Sequence, residues 1–296
     1  MFVEQGRKGN NNFLLYLLTI LICFSGFVSL TMYLMDRVGA RDQDNNQMLF
    51  LALLPFSVVV VVVLMNTILL HKRKMSSVFN VIGHFRLKRF MIGFGFWTFL
   101  MGLGDYIYSN SLGGEYKFHF SGNTFFYLLF ISLSLFPVQT LAEELFFRSY
   151  ILQGLSNLFK RSFVPIIFSS VFFMLLHSAN PENEKFGAAL MSGYYVISGI
   201  FLALLTVLDD GIEQSYGIHF ATNLYGSVLV GYEGSALTTD SLWKIQQPSG
   251  IVMTITSVLA MVIYFLFSKY YFKIKNIGVI FQEHQFELAQ EINEEI

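Results

Sequence analysis

Apolar residues gather along the chain into long runs at about 13–35, 49–70, 90–103, 125–141, 163–176, 187–208, 212–232 and 251–267, separated by short polar stretches. About 20 consecutive apolar residues carry a helix across a bilayer, and most of these runs approach that length, the third and fifth falling short. Val58 to Val63 is an unbroken valine run that would suggest a strand in water. Inside a membrane run it is compatible with helix, because only helices and closed barrels satisfy the backbone in lipid, and no alternating barrel pattern is present. The pattern predicts an all-α fold, a polytopic transmembrane helical bundle of about eight spans. The first run exceeds the core of a cleaved signal and lacks a small-residue cleavage site, so it is expected to be retained.

Composition strengthens the membrane reading. The 296 residues are 54% hydrophobic and 13% charged, with a mean hydropathy of +0.55, where a soluble domain carries roughly 25% charged residues. Thirty-three Phe and 15 Tyr suit lipid contact and interface belts. A net charge of −1 leaves no basic face for nucleic acid. The single cysteine, Cys23, excludes an internal disulfide and reads as a small buried hydrophobe. With the N-terminus inside, eight spans place 13 of the 19 Lys and Arg on the inner side, five on the outer side, and Arg148 within a span. That asymmetry predicts both termini in the cytoplasm, with the basic segment 71–89 as the main anchor, in an integral membrane protein expected at the plasma membrane. The expected organisation is a single membrane domain over 1–296. It divides into N-terminal spans with a basic cytoplasmic loop (1–122), a core (123–232), a last span (233–275) and a cytoplasmic amphipathic helix or loose tail (276–296).

Ionisable groups in hydrocarbon cost about 2.5 to 3.5 kcal/mol each on the insertion scale, so each needs a partner or a purpose. They cluster in three places. In "EELFFR", Glu144 and Arg148 are four apart and share a helix face, so the arginine can neutralise that carboxylate. Glu143 projects about a quarter-turn away and is left for chemistry. In "FFMLLHSAN", His177 ends the fifth run one turn after Phe173; in "GIHFATN", His219 and Asn223 are four apart on one face. Asp209, Asp210 and Glu213 read as a solvated turn and helix start, since acids suit a helix N-terminus. Small residues four apart, Ala188 with Ser192 and Ala189 with Gly193, read as tight helix packing.

A carboxylate, two imidazoles and an amide from three runs are the parts of a hydrolytic site. A carboxylate in low dielectric is a stronger base toward water, and an imidazole beside it can hold the same water. A histidine N–H and an asparagine N–H can stabilise an oxyanion. Depth poses a difficulty: Glu143 falls near the inner end of the fourth run and His177 near the outer end of the fifth, which at about 1.5 Å per residue separates them by more than 10 Å. The separation shrinks if one helix crosses from near Pro137 to Phe159.

Taken together, the three motifs resemble those of the CAAX protease and bacteriocin-processing (CPBP, or Abi) family of intramembrane endopeptidases. The family's paired Glu, three variable residues and Arg are matched by Glu143, Glu144 and Arg148. Its Phe and His are matched by Phe173 and His177, and its His and Asn or Asp by His219 and Asn223. The resemblance covers about 125–232, roughly a four-helix catalytic core, and the first hundred or so residues resemble the family only in hydropathy. It implies that Glu143 with His177 activates water, that His219 with Asn223 forms the oxyanion site, and that Glu144, Arg148 and Phe173 support them. Many members are labelled metalloproteases, so zinc on Glu143, His177 and His219 stays open as a cofactor; HExxH is absent and a metal-free mechanism is favoured. Ser149 follows Arg148 where members often carry Gly. The expected partners are the lipid bilayer and a protein or peptide substrate at the membrane. A non-enzymatic immunity factor or scaffold and a proton-coupled transporter are the rival readings.

Overall fold

The computed structural model describes residues 1–38 and 44–284. Arg41 of the charge count and residues 285–296 of the acidic tail lie outside the described residues. The chain is an all-α bundle. Its helices are α1 (Phe13–Val38), α2 (Asn45–Leu53), α3 (Phe56–Leu69), α4 (Leu87–Ser111), α5 (Asn123–Glu143), α6 (Leu152–Ser156), α7 (Phe163–Leu176), α8 (Pro181–Phe186), α9 (Ala188–Leu208), α10 (Glu213–Leu224) and α11 (Gly250–Tyr271). A π-helical segment, Glu144–Ile151, joins α5 to α6, and a second, Tyr225–Leu229, follows α10. The valine run lies in α3.

Among the described residues six helical stretches are long and apolar enough to cross a membrane: 13–38, 45–69, 87–111, 123–156, 188–208 and 250–271. The expectation of about eight is corrected to six, and the reason is length. α7 has 14 residues. α10 has 12, and the apolar run containing it bends through the second π segment into a strand. α10 is also enclosed by other helices: every residue from Glu213 to Ala221 is buried. Its neighbour α4 approaches at backbone distance, because a Cβ on Gly217 would lie 2.3 Å from the Phe90 carbonyl oxygen. Gly93 on α4 meets Gln214 in the same way, with the Gln214 carbonyl oxygen 2.9 Å from where its Cβ would stand. Small residues thus let two helices touch without intervening side chains.

Polar loops close the two ends. At one end the N-terminal 3₁₀ segment Val3–Arg7, the loop after α3 and the α9–α10 turn interlock. Arg73 donates to the Gln5 carbonyl and to Gln153, Phe2 N–H to Asp210, and Arg7 to the Ser156 carbonyl. The Asp209–Glu213 turn is a correction. The sequence pattern predicts a solvated turn, yet Glu213 is 0% and Asp209 6% exposed. Arg86 pairs with both, at 2.5 Å to Glu213 and 3.2 Å to Asp209, and Arg89 bonds Asp209 at 2.9 Å. Burial outweighs these arginines and pushes the Asp209 carboxyl up. At the other end, β1 (Tyr116–Phe118), β2 (Val230–Tyr232) and β3 (Trp243–Ile245) form a small sheet ordered β1-β3-β2, antiparallel then parallel.

Candidate active site

The helix begun by α5 does not stop at the two glutamates. It runs from Asn123 through the π segment to Ser156, 34 residues in all. The chain then turns, and α7 returns alongside α6 and the π segment. Thirteen residues carry the helix from Glu143 to Ser156, and the fourteen of α7 come back, which brings His177 level with Glu143. The depth difficulty posed by the sequence is removed by this hairpin. Both π segments adjoin the chemistry: one starts at Glu144 and the other begins two residues after Asn223. Wide π turns of this kind recur at functional sites, where they shift side chains off the α-helical register.

The two carboxylates are held differently, and only Glu143 lines the cavity. Glu144 is fully buried; its Oε1 lies 3.2 Å from Arg148 Nη1 and accepts His219 Nδ1–H at 2.8 Å. Glu143 is held by Gln139, whose Nε2 donates to Oε1 at 2.5 Å, while its buried Oε2 has no hydrogen-bond partner. His219 Nε2 stands 3.6 Å from that oxygen. Asn223 Nδ2 donates to Gln139 Oε1 at 2.8 Å, so Asn223, Gln139 and Glu143 form one chain of donors. His177 caps α7, and its Nδ1 hydrogen-bonds the Phe173 carbonyl at 2.8 Å. Phe173 is wedged between the Arg148 guanidinium, 4.3 Å from its ring centre, and the His177 ring, 4.2 Å away.

Glu143, His177, His219, Asn223, Gln139 and Phe173 line one cavity of about 700 Å³, and Glu144 and Arg148 stand behind its wall. The cavity extends past Trp97 and Gly104 of α4 and past Ser198 of α9 to Thr256 of α11. The structure therefore gathers all seven residues singled out in the sequence. It also adds three that sequence reading passed over. Gln139 stands four residues before Glu143, on its face of α5, and that spacing was the available signal. Tyr195 packs its ring at a tilt against His177, centroids 4.7 Å apart, and Asn183 donates to the His177 carbonyl at 2.9 Å; neither carries a signal in sequence. Ser149 is bound locally, its hydroxyl donating to the Val78 carbonyl at 2.7 Å.

Zinc requires three donors converging on one point at about 2 Å. Among the described residues no three His, Cys, Asp or Glu side chains are so gathered. The donor types by themselves suit a metal, since His219 Nδ1 held by Glu144 and His177 Nδ1 held by a carbonyl leave each Nε2 free. No step below is routed through a metal.

Comparison with known proteins falls on this same stretch. Residues 123–225 match the family model described as type II CAAX prenyl endopeptidase Rce1-like. A Bacillus subtilis (strain 168) protein described as "Uncharacterized protein YyaK" is 37% identical over 106 residues, 36% of this chain and 35% of that protein. The chain thus matches about a third of the length of this curated relative. No solved structure matches. The matched stretch, residues 123–225, holds every one of the seven motif residues and is similar to the Rce1-like CAAX prenyl endopeptidases.

Proposed function

We propose that the protein is an intramembrane endopeptidase that hydrolyses a peptide bond with a water activated by Glu143 and His177. One observation carries the reading: Glu143 Oε2 is a buried, unpartnered carboxylate oxygen on the cavity wall, beside an imidazole whose other nitrogen is already anchored. With Nδ1–H given to the Phe173 carbonyl, neutral His177 keeps Nε2 as an acceptor. Two acceptors, Glu143 Oε2 and His177 Nε2, then take the two hydrogens of one water and leave its lone pair for a carbonyl carbon. Glu143 removes the proton as the oxygen attacks.

The oxyanion falls to His219 and Asn223. Glu144 holds His219 through Nδ1 and leaves Nε2 to face the oxyanion. Asn223 spends one amide hydrogen on Gln139 and has a second for substrate. Glu144, Arg148 and Phe173 hold these groups in place. The reading includes a protein or peptide substrate at the membrane and termini in the cytoplasm of a plasma-membrane protein. The orientation draws support from Arg7, Arg73, Arg86, Arg89 and Lys275, which interlock at one end of the bundle. The test is cleavage of a peptide library by the purified protein in lipid nanodiscs, read by mass spectrometry. Activity is expected in the wild type and lost in Glu143→Gln and His177→Ala; equal cleavage by Glu143→Gln would falsify the reading.

A further inference from the structure

The cavity has a second polar region that the hydrolytic residues do not use. α8 starts four residues after His177 and carries Glu182 into the cavity wall, 6% exposed. Its Oε1 accepts the Ala236 N–H at 2.7 Å and the Ser235 hydroxyl at 3.4 Å. Its Oε2 is buried and has no hydrogen-bond partner. A buried carboxylate oxygen left without a donor is costly, and a donor arriving with a ligand removes that cost.

Aromatic residues share the cavity with Glu182. Tyr194, Tyr195 and Tyr232 line the same cavity, and each lies within electrostatic reach of Glu182. Burial first, and the Glu182 charge second, push the Tyr232 phenol up, so its ring stays neutral. Electron-rich ring faces beside a carboxylate are the chemistry that recognises an ammonium or guanidinium group. No Lys or Arg lines the cavity among the described residues. Lys185 stays outside it, bonded to the Glu233 carbonyl with its Nζ 5.4 Å from the Tyr232 ring centre. Asp105, whose two oxygens accept the Tyr116 and Tyr225 hydroxyls at 2.8 and 2.6 Å, adds a further carboxylate to the cavity wall.

The geometry points to a cation subsite, formed by Glu182, Tyr194, Tyr195 and Tyr232, that takes the ammonium or guanidinium of a basic residue in the peptide substrate. Tyr195 joins it to the reacting centre, its ring tilted against His177 at 4.7 Å and within reach of both Glu182 and Glu143. The basic residue therefore sits close in sequence to the scissile bond. That the cation belongs to a substrate rests on the endopeptidase reading above.

The test uses the full chain in phosphatidylglycerol nanodiscs, in a Glu143→Gln background so that bound peptide is not consumed. Short apolar peptides carrying one lysine are titrated against the same peptides carrying norleucine. Lysine at one position is expected to bind about tenfold tighter. Glu182→Gln keeps an acceptor for Ala236 and is expected to bring that ratio to about one. Tyr232→Leu leaves the Glu182 hydrogen bonds in place and is expected to cut the ratio about threefold, which keeps the test decisive if Glu182→Gln fails to fold. No lysine preference, or one that survives both substitutions, overturns the subsite. A preference abolished by adding phosphatidylethanolamine reassigns the pocket to a lipid ammonium and overturns the peptide assignment. Because binding is read without turnover, failure of the wild type to cleave sinks the endopeptidase reading separately.

Discussion

The ionic cluster around Glu144 and the one around Glu213 are both buried, both join acids to arginine, and both sit at the start of a helical segment. They differ in what is left over. At Glu213 each carboxylate oxygen finds a donor: Oε1 takes the Asn80 side chain and the Arg86 N–H, and Oε2 takes the Arg86 guanidinium. Nothing in that cluster faces the cavity. Around Glu144 the neighbouring Glu143 keeps an open oxygen, and both terminal nitrogens of Arg148 lack a hydrogen bond. The difference that matters is at the carboxylates: both Glu213 oxygens are taken, whereas Glu143 keeps one oxygen open on the wall of the cavity.

Substitutions can break that contrast or sharpen it. The largest effect is expected from Glu143→Gln, which should slow peptide cleavage by about 10² to 10⁴ and leave thermal unfolding in detergent nearly unchanged. Arg86→Met should do the reverse. It leaves Asp209 and Glu213 with too few cationic partners in a buried place and should destabilise the fold by about 3 to 5 kcal/mol, read by denaturant titration, while activity per folded molecule persists. Gln139→Leu cuts the link from Asn223 to Glu143 and should lower kcat about tenfold with KM little changed. The smallest effect belongs to Ser149→Ala, which removes one hydrogen bond to Val78 and should cost about 1 kcal/mol of stability with no change in cleavage. Loss of stability in Glu143→Gln matching that in Arg86→Met would erase the distinction between the two clusters.

The candidate site was more legible in sequence than the fold around it. The pairing of Glu144 with Arg148 and the shared face of His219 and Asn223 follow from four-residue spacing, which any helix converts into proximity. The fourth run could not be followed past Leu141 by hydropathy, since Glu143, Glu144 and Arg148 lower it even though they neutralise one another inside a continuous helix. The π register left no trace, because it is a change in backbone hydrogen bonding that the side-chain pattern does not encode. Asp209 and Glu213 were misread for another reason: their partners Arg86 and Arg89 lie about 120 residues earlier in the chain, and local turn chemistry says nothing of them.

The close seating of α4 on α10 ties the matched stretch 123–225 to a helix outside it. What α4 must offer its neighbour is chiefly the absence of bulk at a few positions, such as Gly93 opposite Gln214 and the bare backbone of Phe90 opposite Gly217. Many unlike sequences meet such a requirement. A piece excised at residues 123–225 would lose this companion and lay a stripe of naked main chain open to lipid, where it would have to find another helix to cover it.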